Sequence, residues 1–100
     1  MIENSLIRQI IDGATHRYAE LVQLHQSEVY ALIVRIVGNE AEAEELTQDV
    51  FLKAYTNLRQ FKAKSSFSTW LYRIAYNEAL SHTRHHREKL LELDERRVAQ

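Results

Sequence analysis

Residues 59–89, RQFKAKSSFSTWLYRIAYNEALSHTRHHREK, concentrate the positive charge of this chain. The stretch holds seven lysines or arginines and two glutamates, a formal balance of +5, whereas the whole 100-residue chain has a net charge of −1. The near-neutral total therefore conceals a cationic segment. Such a segment is typical of a surface that binds the phosphates of a nucleic acid.

Five of the nine aromatic residues are interleaved with these cations, within a sixteen-residue segment that ends at Tyr76. Flat rings can accept unstacked bases, and each stack contributes about 1 to 3 kcal/mol. Cations and rings together indicate a single-stranded nucleic acid as the ligand. Phe67, Trp70 and Leu71 also fit the apolar stripe of a core helix, whereas Tyr72 and Tyr76 lie off that stripe and are expected on the surface.

The same stretch predicts a helix that follows a polar loop at residues 60–65. Ser66 or Ser68 can cap this helix, because a serine oxygen accepts hydrogen bonds from the free amides of a first turn. Beyond Glu88 acids and bases alternate, which is typical of a fraying helix end or a linker.

Gly38 and Asn39 form the clearest helix boundary in the sequence. Glycine is favoured at the left-handed residue that ends a helix, and asparagine caps the start of the next one. Residues 39–52 then contain five acids and no lysine or arginine. We expect a helix to about Leu58, with an apolar stripe inward and an acidic face outward. The opposite charges of this helix and of the cationic stretch indicate two different partners.

Two further helices are predicted before this boundary. A short amphipathic helix, with Asn4 or Ser5 as its N-cap, is expected to end at Gly13. A longer helix, capped by Thr15, is expected to run to about Val37. The chain contains no proline and two glycines. The predicted fold class is therefore all-α, a compact bundle of three main helices plus a short N-terminal helix.

The length and composition of the chain limit the classes of protein to which it can belong. One hundred residues suffice for a single domain with a modest core. The absence of cysteine excludes a disulfide framework and a thiolate metal site. The first residues lack the long apolar run of a signal peptide, and no segment is apolar enough to span a membrane. These features predict a cytoplasmic protein without membrane insertion.

Neither catalysis nor metal binding is predicted. The sequence contains no Gly-rich phosphate loop and no carboxylate pair placed with a nucleophile. His82, His85 and His86 follow Glu78 at a helical spacing that can ligate a metal. The neighbouring arginines oppose a cation there, so we expect no metal and no cofactor, and added DNA-facing charge at lower pH instead.

The sequence DVFLKAYTNLRQFKAKSSFSTWLYRIAYN, residues 49–77, resembles region 2 of bacterial sigma factors, specifically the extracytoplasmic-function (ECF) group. The resemblance rests on DVFLKA at residues 49–54 and on FSTWLYRIAYN at residues 67–77, in the order and spacing typical of that family. Residues 41–48 and the helix from Arg17 also fit, so nearly the whole chain is covered. The resemblance implies an alternative sigma factor domain that joins core RNA polymerase to promoter DNA.

The resemblance also implies two binding surfaces. The helix that matches residues 41–54 would dock on a coiled coil of the largest polymerase subunit. The segment that matches residues 61–77 would open the promoter at the −10 element and capture a flipped non-template base. An anti-sigma factor is a further expected partner. The implied polymerase-binding residues are Glu45, Gln48, Asp49, Leu52 and Lys53, and the implied DNA-binding residues are Lys62, Ala63, Lys64, Ser65 and Ser66 in the base pocket, Thr69, Trp70, Tyr72, Arg73, Tyr76 and Asn77 on the strand-separating face, and Arg84 and Arg87 at phosphates further along.

Three positions, at two places in the sequence, depart from known sigma factor patterns. Ala63 and Lys64 stand where family loops often carry a glycine and an acid. Leu71 follows Trp70 where primary sigma factors carry paired tryptophans, so a weaker, alternative-sigma type of melting wedge is expected.

Family members also carry a second helical domain that reads the −35 element, and no segment here resembles it. We therefore expect residues 1–92 to be the region 2 domain and residues 93–100 to begin a linker.

Two other kinds of protein fit parts of the pattern. A helix-turn-helix protein that binds duplex DNA needs a short turn between two helices, whereas a six-residue polar loop precedes the basic helix. A helical protein-protein interaction module explains the acidic face but not the clustered cations and tyrosines. Binding to single strands separates the three possibilities.

Overall fold

The structure, a computed structural model, describes residues 2–99 and contains four α-helices, with no strand in that range. The predicted all-α class, with three main helices and a short N-terminal one, is confirmed. Met1 and Gln100, which the predicted domain and linker limits include, lie outside the described residues. The elements are α1 (Ile2–Ile11), a 3₁₀ turn (Thr15–Arg17), α2 (Tyr18–Val37), α3 (Glu40–Thr56), a second 3₁₀ turn (Leu58–Gln60) and α4 (Phe67–Ala99).

The boundary between α2 and α3 lies where the sequence predicts it. Gly38 has a φ of 72°, in the left-handed region, and its amide donates to the carbonyl of Val34 at 2.9 Å. The Asn39 side chain accepts a hydrogen bond from the amide of Glu42 at 2.9 Å and so caps α3. Only these two residues separate the helices, so the corner has little freedom to change.

The predicted starts of the first two helices are wrong. α1 is already formed at Ile2, so Asn4 and Ser5 lie inside the helix instead of capping it. Thr15 begins a 3₁₀ turn, and α2 starts at Tyr18 without a side-chain cap. The Thr15 assignment failed because the first turn there is a 3₁₀ turn, an element that is frequent at the N-terminus of an α-helix.

The segment between α3 and α4 shows where α3 ends and which serine caps α4. α3 ends at Thr56, because the Asn57 side chain donates to the carbonyl of Lys53 at 2.9 Å, and the predicted end at Leu58 falls in the 3₁₀ turn. Ser66 caps α4, since its Oγ accepts from the amide of Thr69 at 3.1 Å. The other candidate cap, Ser68, lies inside the first turn of α4.

The core forms where α2 packs against the other three helices. Leu21, Val29 and Ile33 of α2 are fully buried, and Leu71 of α4 is as well. His25 is the polar member of this stripe. Its Nε2 pairs with the carboxylate of Glu3, its Nδ1 lies 3.4 Å from the Ser68 hydroxyl, and its ring packs on Phe67 with centroids 5.2 Å apart. The imidazole thus connects α1, α2 and α4.

The two halves of α4 have different surroundings. Residues 67–79 pack on the bundle, whereas every residue from 84 to 97 is exposed. The described chain is therefore extended, about 60 × 23 × 22 Å, and only the bundle is compact, without the projecting half of α4. α4 continues unbroken through residue 92, so the proposed domain boundary there stays a prediction. No described helix combines the length and the apolar character that a membrane crossing requires.

Candidate nucleic-acid interface

Three of the five interleaved aromatic residues pack on one another. The ring centroids of Phe61, Phe67 and Trp70 lie 5.5 to 5.6 Å apart. Phe61 and Phe67 are buried, and Trp70 is half-buried. Phe61 and Phe67 are therefore a support beneath the loop and are not available for stacking on bases. Trp70, Tyr72 and Tyr76 are the members of the group that reach the surface.

The outer face of α4 presents a continuous polar row. Thr69, Arg73, Tyr76 and Asn77 are exposed, at the helical spacing that puts them side by side. Tyr76 has half of its surface free. This row is the side of α4 opposite its buried stripe, and it contains a cation, a ring and an amide in neighbouring positions.

Tyr72 differs from the rest of this group because it is tied to α2. Its hydroxyl donates to Oε2 of Glu28 at 2.5 Å. This hydrogen bond, with partial burial and the nearby negative charge, raises the pKa of Tyr72 above its ordinary value. Tyr72 is half-buried, so it offers an edge to a ligand where Tyr76 offers a whole ring.

The loop before α4 is exposed and cationic. Lys62, Ala63, Lys64 and Ser66 are exposed and Ser65 is half-buried. Neither lysine has an acid within ion-pairing distance among residues 3–97. Ala63 has a φ of 57°, a left-handed conformation that glycine adopts readily and alanine adopts at a cost. The residue at the departure from the family pattern is therefore the strained residue of the loop.

A shallow pocket of about 280 Å³ lies between the end of α3 and the outer face of α4. It brings Trp70 and Asn77, which were predicted to bind DNA, together with Lys53, which was predicted to bind polymerase. Lys53 forms an ion pair with Glu78 of α4 at the pocket wall. The residues predicted to bind DNA and those predicted to bind polymerase thus meet at this pocket.

Sequence reasoning missed four residues that line this pocket, among them Asn57 and Gln60. The Gln60 amide donates to Oδ1 of Asn57 at 3.2 Å, which fixes both side chains. Side-chain amides carry donors and acceptors that match the edges of bases. The sequence signal that could have identified Asn57 and Gln60 is the spacing of their two amide side chains, three residues apart just before the cationic loop. The missed residues are Asn57, Gln60, Ile74 and Glu78.

The remaining cations predicted to contact DNA lie on the projecting half of α4. Arg84 and Arg87 are exposed there, about 10 and 15 Å along the helix axis from Asn77 at 1.5 Å per residue. They lie on the same helix as the pocket but do not line it. His82 points to α3 instead, with its Nε2 3.3 Å from a carboxylate oxygen of Glu42. No three potential ligands among the described side chains converge on a metal position.

The predicted polymerase-binding residues form an exposed face on α3. Glu45, Gln48, Asp49 and Leu52 are all exposed, and Leu52 has 67% of its surface free. Leu52 and the neighbouring Tyr55, which has 41% of its surface free, add apolar surface next to these carboxylates. Lys53 lies on the same turn but is committed to its ion pair with Glu78.

An apolar groove of about 740 Å³ lies beside this face, between α2 and α3. Leu52, Phe51 and Tyr55 line one side and Tyr18 the other. The Tyr18 hydroxyl donates to the carbonyl of Phe51 at 2.5 Å, and its ring lies 4.9 Å from that of Tyr55. Burial, followed by the nearby Tyr55, raises the pKa of Tyr18. The groove extends the exposed α3 face with apolar surface.

This arrangement, a helical bundle with a cationic loop and an acidic outer helix, belongs to a known class. Residues 21–89 match the Sigma-70 region 2 family, and the chain belongs to that family. The predicted resemblance is therefore confirmed.

Relatives of this chain include sigma factors of the ECF group, and a solved structure shares its fold. It is 37% identical to the ECF RNA polymerase sigma factor SigW of Bacillus subtilis over 84% of its length, and 39% identical to the RNA polymerase sigma-H factor of Pseudomonas aeruginosa over 80%. It covers 45% and 42% of these two proteins, so it spans less than half of their length. A solved complex of an engineered region 2 of sigmaE with GTAAAA superimposes with a TM-score of 0.78 at 32% identity, covering 86% of this chain and 90% of that one.

Proposed function

We propose that this chain is the part of an ECF-type alternative sigma factor that binds core RNA polymerase and opens the promoter at its −10 element. The observation that carries the proposal is the exposed cationic loop, residues 62–66. It connects Gln60 to α4, and Gln60, Trp70 and Asn77 line one pocket. The related engineered region 2 of sigmaE, which is in complex with GTAAAA, has the same fold and supports this reading.

The DNA surface would act by holding one base of the non-template strand outside the helix. Extruding a base costs a few kcal/mol, and a pocket that accepts the base offsets that cost. Lys62 and Lys64 would attract the adjoining phosphates, and the half-buried ring of Trp70 would cover a neighbouring base. The amides of Asn57 and Asn77 would hydrogen-bond to base edges.

The α3 surface would hold the domain on the polymerase. Asp49 lies well past the first turn of α3, where the helix dipole gives a carboxylate little stabilisation. A partner with complementary charge gives this carboxylate a role. Leu52 and the apolar groove behind it would supply the buried area that an ion pair alone lacks. Docking through this face would raise the effective concentration of the DNA surface at the promoter.

The same reading assigns a cytoplasmic location, a binding role with neither catalysis nor cofactor, and regulation by an anti-sigma factor. The exposed α3 face and the cationic loop are the two surfaces that such a partner would cover. A helix-turn-helix mode of duplex binding is disfavoured, because residues 57–66 separate α3 from α4 and contain a 3₁₀ turn.

Fluorescence anisotropy tests the proposal directly. Labelled single strands that contain GTAAAA, scrambled strands and matching duplexes are titrated with the chain at two salt concentrations, with and without core polymerase. We expect a preference for single strands that becomes sequence-dependent when polymerase is present. Equal binding to duplex would favour the helix-turn-helix alternative. Binding to neither nucleic acid, with or without polymerase, would leave a helical protein-interaction module.

A further inference from the structure

A second cationic surface involves α1, a helix outside the predicted DNA-binding set. A groove of about 700 Å³ separates α1 from residues 59–63. Arg8 lines it from α1, and Arg59 and Lys62 line it from the other side. Ile7 and Phe61, both buried, lie at its base. Three cations from two separate segments of the chain therefore meet over one groove.

These cations have no acidic partners that would explain their proximity. None of the three has a carboxylate within ion-pairing distance in residues 3–97. Arg59 is fixed by a hydrogen bond from its Nη2 to the carbonyl oxygen of Ile11, 3.4 Å away at the end of α1. The dipole of α1 favours a cation at Arg8, in its last turn, but gives no reason for Lys62 on the facing segment. An anion between the two walls would relieve their mutual repulsion.

We propose that this groove binds the sugar-phosphate backbone of the strand whose base the loop captures, one or two nucleotides away from that base. The inference rests on the proposed function, because Lys62 and Ala63 belong both to the base-capturing loop and to the groove. A strand held by the loop has its neighbouring phosphates within reach of Lys62, and the groove continues from there to Arg8. Since phosphate contacts carry no base information, the groove would position the strand without reading its sequence.

The test uses the whole chain and three labelled single strands: GTAAAA, the same hexamer with three thymidines added at its 5′ end, and the same hexamer with three added at its 3′ end. We expect one extension to tighten binding. Arg8→Ala should abolish that gain and leave hexamer binding unchanged. One lost phosphate contact makes the slope of log K against log salt less negative by about 0.7, which corresponds to about a fourfold weaker Kd at 0.15 M salt.

Arg35→Ala is the matched control, because it removes one exposed cation from α2 without touching the groove. Arg8→Lys, which keeps the charge, should retain most of the gain. Circular dichroism checks that each variant is folded. The inference is wrong if Arg8→Ala and Arg35→Ala weaken the longer strand equally, or if GTAAAA binds and neither extension tightens it; the proposed function survives both results. Failure of the wild-type chain, alone and with core polymerase, to bind any strand would overturn the proposed function and this inference with it.

Discussion

The outer face of α3 and the loop before α4 are the two proposed binding surfaces, and they are built in different ways. On α3 the exposed residues occupy consecutive turns of a regular helix, so their relative positions are fixed by backbone hydrogen bonds. The loop is held instead by distant contacts. Phe61 inserts beneath Trp70, Arg59 reaches the end of α1, and Ala63 takes a left-handed conformation. The α3 surface is therefore held by the hydrogen bonds of its own helix, whereas the loop depends on the packing of its neighbours.

The largest expected effect comes from a substitution in the core of the bundle, which carries both surfaces. Leu71 is completely buried between α4 and the bundle, so Leu71→Ala should lower the free energy of unfolding by about 3 kcal/mol, within a usual range of about 2 to 5. Urea denaturation followed by circular dichroism measures this change. The same substitution at Leu91, which is half exposed on the projecting part of α4, should stay within about 0.5 kcal/mol of the wild type. Similar losses at the two sites would contradict the packing described here.

Asp49→Ala tests the α3 surface alone. Loss of a carboxylate at the centre of the face should weaken polymerase binding by about 1.4 kcal/mol or more, at least tenfold, with stability and single-strand affinity unchanged. Glu44→Ala removes the same charge from α3 outside the predicted polymerase-binding set and should have less than half of that effect on log Kd. Binding of core polymerase to immobilised variants gives the two constants. Unchanged polymerase affinity in the Asp49 variant would refute the assignment of this face.

Lys64→Ala tests the loop surface alone. The side chain is exposed and unpaired within the described residues, so the fold should be unaffected. Single-strand affinity should fall by about fourfold at 0.15 M salt, and the slope of log K against log salt should become less negative by about 0.7. Lys89→Ala, on the projecting half of α4, is the control for a general loss of charge. Polymerase binding that weakens together with DNA binding would show that the two surfaces are not separable.

Ala63→Gly sharpens the comparison, because it relaxes the loop without removing a contact. Glycine adopts a positive φ at no steric cost, so this variant should be more stable by about 0.5 to 1 kcal/mol. Gly38→Ala is the converse change. An added Cβ meets nothing within 4 Å there, so its expected cost of about 1 kcal/mol comes from the backbone conformation alone. Thermal denaturation of both variants supplies the test, and a destabilised Ala63→Gly chain would count against the strain in the loop.

The smallest expected effect concerns the bond between Tyr72 and Glu28. The folded-state pKa of Tyr72 is raised above its unfolded value, so the stabilisation is complete below about pH 10 and is lost as the pH rises through the folded pKa. Tyr72→Phe should therefore be slightly less stable than the wild type at pH 7, with a difference that disappears in strong alkali. Absorbance titration at alkaline pH should show one late-ionising tyrosine fewer. A difference in stability between Tyr72→Phe and the wild type that grows as the pH rises would contradict the raised pKa of Tyr72.

The two surfaces also differ in how far the sequence predicted them. The α3 face follows from the start signal at Asn39 and the helical period. All five predicted residues are exposed, but Lys53 lies at the edge that meets α4, where it pairs with Glu78. The pocket beside the loop was predicted only in part. The sequence assigns Asn57 to the end of a helix and Gln60 to the start of a loop, and their proximity to Asn77 arises from packing between α3 and α4. Periodicity describes neighbours within a helix, and it carries no information on which helices meet.

The corner at Gly38 and Asn39 has a consequence for how quickly the bundle forms. Closing a connection of two residues costs little chain entropy, so α2 and α3 can pair as soon as each is helical. Contacts between sequence neighbours are the kind that let helical proteins fold in microseconds to milliseconds. During synthesis, the paired α2 and α3 would offer a ready template to α4, whose buried stripe leaves the ribosome after both of them.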